Sequence, residues 1–182
     1  VEIVGISGSL RKGSFNTALL RAAAGLAEAP VAIPVHTLAG IPLYDGDVEE
    51  AEGIPAAVTA LKDAMAAADG VLIATPEYNH SLPGPLKNAI DWCSRPPDDI
   101  ARVFGDRPVA LCGATPGNGG TTLAQTAWLP VLRRLGMRIW TGGTLQVPAA
   151  HTVFDDGELT DEKLRQRVAR FVAGFATFCG RG

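Results

Sequence analysis

Cysteine and histidine are both scarce in this chain. Three cysteines, Cys93, Cys112 and Cys179, stand far apart among apolar neighbours with no C-x-x-C pair. That spacing excludes a disulfide scaffold and a zinc ribbon, and it predicts reduced thiols in a core. Three histidines, His36, His80 and His151, show no ligand spacing, so no metal is expected from them. Lysine and arginine nowhere concentrate, and 16 of them against 19 acidic residues leave a formal charge of -3. The basic footprint of a nucleic-acid binder is missing. No apolar run approaches the ~20 residues that span a bilayer, and the first residues read as a strand rather than a charged start before a signal core. The expectations are a cytoplasmic protein with a small-molecule partner, and neither a nucleic-acid nor a membrane partner.

What is present is a chain of 182 residues, 47% of them hydrophobic, enough for one domain over residues 1–182 with a substantial core. Apolar positions alternate between short bursts and helical spacing, with glycine and proline at the joins, which is the rhythm of a parallel α/β sheet. The spacing predicts a first strand over Glu2 to Ile6 and a first helix from near Asn16, with Leu19, Ala22, Ala23 and Leu26 on one face. A second strand is expected over Val31 to Thr37. A long loop, "LAGIPLYDGDVEEAEGIP", then precedes a helix whose Leu61, Ala64, Met65 and Ala68 share a side. The third strand is "GVLIAT", the third helix "GPLKNAIDWC" with Pro85 in its first turn, and the fourth strand "PVALCG". The fourth helix is expected over Thr121 to Leu135, kinked or divided by Pro130. A fifth strand lies within "RIWTGGTLQV", and a fifth helix begins with Thr160 as N-cap and Asp161 and Glu162 in its first turn. Five such units match a flavodoxin-like α/β sandwich, three layers with a five-stranded parallel sheet in the order 2-1-3-4-5.

In that order strands one, three and four are neighbours, and ligands settle at the carboxyl edge where strand order reverses. Three loops meet there: "SGSLRKGSFN", "PEYNHSLPG" and "ATPGNGG". The first has Gly8 and Gly13 at Walker A separation, but Ser14 and Phe15 stand where that motif demands lysine and a hydroxyl. Nor is it G-x-G-x-x-G. What remains is a hydroxyl-rich turn whose Ser9, Ser14, Asn16 and Thr17, with backbone N–H groups at a helix N-terminus, can surround a phosphate monoester dianion. Arg11 adds charge or covers the ligand. The same Ser14 or Asn16 can equally be a plain helix cap. In the second loop Pro76, Pro83 and Gly84 restrict the backbone, so its amides can meet a heterocycle edge while Tyr78 packs on the face, or the segment is an irregular surface turn. The third offers exposed backbone of the kind that approaches a flat ring.

Other chemistries fail on spacing. "DGDVEE" from Asp45 imitates a calcium loop, but Glu50 and Ala56 occupy the glycine and bidentate-glutamate positions. No G-x-S-x-G elbow is present. The first strand ends without the carboxylates a phospho-receiver uses to hold magnesium.

The strings "GSLRKGSFN", "IPLYDGDVE" and above all "TPEYNHSLPGPLKNAIDW" resemble those of the NAD(P)H-dependent FMN reductases of flavodoxin-like fold, in particular the bacterial branch that reduces quinones and chromate. The resemblance covers most of the chain. It implies that Ser9, Arg11, Ser14, Phe15 and Asn16 grip the FMN phosphate, and that Pro76, Glu77, Tyr78 and Asn79 border the ribityl chain and isoalloxazine. It also implies ring contacts from Thr115 and Gly117, although "GATPGNGG" stands where that branch carries a longer, serine-rich segment. NADPH or NADH would be the electron donor, and a quinone, chromate, an azo compound or free flavin the acceptor. The flavin would carry the chemistry in a ping-pong cycle without a catalytic side chain. Members associate, which implies a homodimer or homotetramer with an interface from the loop carrying Tyr44 and the third helix. The rival reading is a flavodoxin-type electron carrier, for which -3 is a modest charge.

Overall fold

A computed structural model describes residues 1–180. In chain order the elements begin with β1 (Ile3–Ser7), α1 (Phe15–Leu26), β2 (Val35–His36), α2 (Gly46–Glu52), α3 (Ala56–Ala67) and β3 (Gly70–Ala74). There follow α4 (Gly84–Cys93), a 3-10 turn over Pro97–Asp99, α5 (Ile100–Val103), β4 (Pro108–Ala114) and α6 (Thr122–Arg134). The last are β5 (Arg138–Ile139), β6 (Leu145–Val147), a 3-10 turn over Ala150–Thr152, β7 (Phe154–Asp155), β8 (Glu158–Leu159) and α7 (Glu162–Cys179).

The sheet runs β2-β1-β3-β4-β5, all parallel, with β6 also paired to β4. β1 and β3 are buried at every position, as expected of strands covered on both faces. Their side chains alternate between two cores: Leu72 and Ala74 face α1 and α7, while Val71 and Ile73 face α3, α4 and α6. This is the three-layer flavodoxin-like sandwich. On one side Leu19 and Leu20 pack with Phe171 and Phe175. On the other Trp92, Phe104 and Trp128 are fully buried.

Several boundaries depart from the sequence reading. The second strand shrinks from Val31–Thr37 to Val35–His36 plus a single bridge at Ala32, because Pro34 has no N–H to give the ladder. The loop before α3 holds a helix, α2, capped by Asp45, whose carboxylate accepts from Asp47 N–H at 2.9 Å. The would-be calcium loop is therefore a helix start. Pro130 does not divide α6; both it and Thr126, whose carbonyl loses its donor, are exposed, so water can take the vacant place. The fifth strand is two pieces. Between them the chain passes round the Trp140 ring, against which a Cβ on Gly142 or Gly143 would collide, and which packs edge-on to Phe171 at 5.0 Å. The N-cap of α7 is Asp161, not Thr160: its carboxylate accepts from Leu164 N–H at 2.7 Å.

Candidate functional site

At the carboxyl edge of the sheet the loops after β1, β3 and β4 enclose a cavity of about 230 Å³. The first loop contributes Ser9, Arg11, Ser14, Phe15 and Asn16, the second Pro76, Glu77 and Tyr78, the third Ala114, Thr115 and Pro116. Of the residues read from the sequence, Thr17, Asn79 and Gly117 lie outside its wall. Ala114 and Pro116 were not singled out; the one signal for them was their place beside Thr115 in "GATPGNGG". Larger hollows lie elsewhere, one between α1 and α7 and one between α4 and α6. Neither gathers loops from the carboxyl edge of the sheet.

The first loop is drawn tight at Gly8, where a Cβ would sit 2.8 Å from side-chain atoms of both Leu86 and Pro76. Ser14 then starts α1 as its N-cap: Oγ accepts from Asn16 N–H at 3.2 Å and Thr17 N–H at 3.3 Å. The N–H groups of Ser9, Leu10, Lys12, Gly13, Ser14 and Phe15 have no acceptor among the described residues. No acidic residue occupies the first turn of α1. A helix N-terminus with free amides, a hydroxyl and an arginine beside it favours an anion. The Thr17 hydroxyl is not part of this set, being buried in a 2.7 Å hydrogen bond with Ser7 Oγ.

Two polar side chains named as candidate ligands are already engaged with the protein. The Asn16 amide pairs with the backbone of Ala114: Nδ2 donates to its carbonyl at 3.0 Å, and Oδ1 accepts from its N–H at 2.9 Å. Glu77 Oε2 accepts from the N–H groups of Leu123 at 2.9 Å and Ala124 at 3.1 Å, so it caps α6 from another loop. Thr121, the N-cap by position, has φ 64°, and its hydroxyl caps no helix N–H, accepting instead from Gln125 Nε2 at 3.1 Å. The other Glu77 oxygen lies 3.3 Å from Nδ1 of exposed His80.

Asn79 and His80, at φ 50° and 59°, form the centre of a tight hairpin closed by reciprocal backbone bonds between Tyr78 and Ser81. Left-handed φ at both central positions is a demand that, after glycine, asparagine meets most readily. The turn lifts Tyr78 to 41% exposure at the rim. Gly117 N–H bonds back to Thr115 Oγ1 at 3.3 Å, while its carbonyl accepts from Ala149.

All three thiols are buried, and none lines the cavity. Burial pushes Cys93 up to about 12 and Cys179 up to about 11, and raises Cys112 further.

A sequence profile described as NADPH-dependent FMN reductase matches residues 1–152. The chain belongs to that family. FMN is accordingly the cofactor of this reductase and NADPH or NADH its electron donor. It is 42% identical over 169 residues to an NAD(P)H-dependent FMN reductase of Pseudomonas aeruginosa, covering 92% of this chain and 89% of the relative. A quinone reductase of Escherichia coli is 40% identical over 168 residues, 87% and 88% of the two chains. Among solved structures, the flavoenzyme NAD(P)H:acceptor oxidoreductase of Paracoccus denitrificans superposes with a TM-score of 0.86 at 33% identity, covering 99% of this chain and 97% of that one. An archaeal flavodoxin at 11% identity and TM-score 0.61 shares the fold alone. The reductase is an enzyme acting on small-molecule acceptors rather than an electron carrier. Among its described residues no helix is long and apolar enough to cross a membrane.

Proposed function

We propose that this reductase holds FMN in the crevice between the loops after β1, β3 and β4 and passes electrons from NADPH or NADH to quinones. Other small electrophiles, chromate and azo compounds among them, and free flavin are further acceptors. The single observation that carries the assignment is the set of N–H groups without a protein acceptor at Ser9, Leu10 and Lys12 to Phe15, ahead of α1 and beside the Ser14 hydroxyl and Arg11. That donor set fits a phosphate dianion, which neutral amides and a helix dipole hold without a metal.

In this reading Ser9, Ser14, Phe15 and the neighbouring amides bind the phosphate, and the exposed Arg11 side chain closes over it. Pro76, Glu77 and Tyr78 on one side and Ala114 to Pro116 on the other border the ring, with Asn79 and Gly117 shaping the turns that carry them. When bound, FMN supplies two-electron transfer between donor and acceptor. The protein's own share is to bind, orient and shield it. Donor and acceptor taking turns at one opening of the crevice would make the cycle ping-pong; initial-rate lines that intersect would contradict that order. The E. coli quinone reductase noted above supports a quinone as acceptor.

We assign the enzyme to the cytoplasm, where its buried thiols stay reduced, and to a homodimer or homotetramer. Leu43, 84% exposed, is held beside α4 by Tyr44, whose N–H donates to Asn88 Oδ1 at 2.9 Å and whose ring packs edge-on to Trp92. That surface is offered as the interface.

The test is an absorbance spectrum of the purified protein with and without added FMN, then anaerobic addition of each nicotinamide. The expected result is a yellow protein bleached by NADPH or NADH. A colourless protein that takes up no FMN overturns the proposal.

A further inference from the structure

We propose that Asn16 is a positioning residue: its amide replaces the strand that β4 loses where β3 turns away, and so fixes the backbone wall at Ala114 and Thr115 instead of gripping the phosphate. The proposal rests on the flavin assignment above.

The parallel ladder between β3 and β4 ends where Thr75 N–H donates to the Cys112 carbonyl. Beyond it β3 leaves the sheet: Thr75 Oγ1 turns onto the Pro76 carbonyl at 2.9 Å, and Pro76 has no N–H to continue with. On its other edge β4 stays paired, with Ala114 in register with Val147 and Thr115 N–H on the Val147 carbonyl. Only the Ala114 N–H and carbonyl on the β3 side are left open. Ala114 is 3% exposed, and buried backbone groups of that kind need partners.

Asn16 meets both from α1, 98 residues away in sequence, at 2.9 and 3.0 Å, and it is itself 4% exposed. Among side chains of this length, only a primary amide presents an acceptor and a donor side by side as a peptide group does. The Ala114 N–H requires Oδ1, and its carbonyl requires Nδ2, so the pair also fixes which way the amide points. Asn16 follows two residues after the Ser14 cap. One turn of α1 therefore sets the phosphate loop and, through the amide, the opposite wall of the crevice.

Binding of FMN and of riboflavin, which lacks the phosphate, separates the two roles. A positioning residue predicts that Asn16→Ala weakens both flavins by a similar factor, about tenfold. The ratio of their affinities then stays near that of the unaltered protein, and the visible band of bound riboflavin shifts because the wall beside the ring has moved. Loss of FMN affinity alone, or unchanged affinity for both, overturns the proposal. Where the variant does not fold, the unaltered flavin-free protein gives a second test by NMR with inorganic phosphate as probe. The backbone N–H signals of Ser14 and Phe15 should shift on titration while the Asn16 side-chain signals stay still, and the Ala114 amide should be protected from exchange. Asn16 side-chain signals that move with the loop overturn it. If the unaltered protein binds neither flavin, the flavin assignment falls and takes this proposal with it. If it binds FMN and the variant loses FMN alone, only this proposal falls.

Discussion

Replacing Glu77 by alanine removes the only side-chain cap on α6 among the described residues. Its carboxylate bonds the N–H groups of Leu123 and Ala124 at 2.9 and 3.1 Å, while Thr121 supplies no local substitute. The Leu123 side chain is 49% exposed, whereas Ala124 is fully buried, so water reaches the first freed N–H more easily than the second. Losing an N-cap costs about 1 kcal/mol and sometimes twice that. A charge opposite a helix N-terminus adds about 0.3–1 kcal/mol. Glu77→Ala should therefore destabilise the flavin-free protein by about 1–3 kcal/mol, a drop in melting temperature of roughly 3–10 °C for a chain of this size. Glu77→Gln keeps an acceptor oxygen and loses only the charge, which predicts roughly 1–4 °C.

Thermal unfolding followed by far-ultraviolet circular dichroism reads both variants, and hydrogen exchange at the Ala124 amide reads the cap directly. If alanine and glutamine cost the same, or if neither shifts the melt, Glu77 does not cap α6 and the reasoning fails.

Ser14→Asp separates capping from anion binding, because aspartate caps a helix as well as serine does. The flavin-free melt should move by no more than about 2 °C, whereas FMN affinity should fall about a hundredfold and riboflavin affinity far less; undiminished FMN binding would remove the phosphate site. Asp99 is held well below the usual carboxylate range, first by Arg102 and then by Lys62. A depressed folded value stabilises fully above the unfolded value of about 3.9 and is lost as pH falls below it, so Asp99→Asn should flatten the acid limb of a stability-against-pH curve below about pH 5; parallel limbs would contradict it. With Cys93 and Cys179 near 12 and 11 and Cys112 higher still, a disulfide reagent at pH 8 should label no thiol in the native protein and all three in denaturant.

The central strands were legible because β1, β3 and β4 are nearly continuous apolar runs bounded by glycine and proline. The edges were not. Pro34 shortens β2, and the Trp140 ring with two glycines splits the fifth strand, and neither effect alters the apolar pattern. The helix α2 stayed hidden because none of its residues is buried, so it has no apolar stripe to read; Asp45 and the acidic first turn were the available signals, and they resembled a metal loop. At the site, residue types and spacing identified the loops that converge, but not the use of each polar atom. Asn16 and Glu77 find their partners 98 and 46 residues away. Such distances put the choice between facing a ligand and facing the protein beyond any local pattern.

That choice has a physical consequence for how the crevice works. Side chains fix its frame: Ser7 and Thr17 bond each other, Asn16 closes the ladder at Ala114, Trp128 Nε1 donates to Thr75 Oγ1 at 3.0 Å, and Glu77 seats α6. On the proposed flavin assignment, recognition would fall chiefly to the main-chain N–H groups ahead of α1 and to the Ser14 hydroxyl, whose oxygen caps α1 and whose proton is left to donate. Backbone amides anchored by a helix cap have little rotamer freedom to lose when an anion arrives, unlike a lysine that must be ordered on binding. On the same assignment the phosphate would meet amides and the exposed Arg11 rather than a buried cation, which would leave the wall at Ala114 to Pro116 as a means of tuning the redox group.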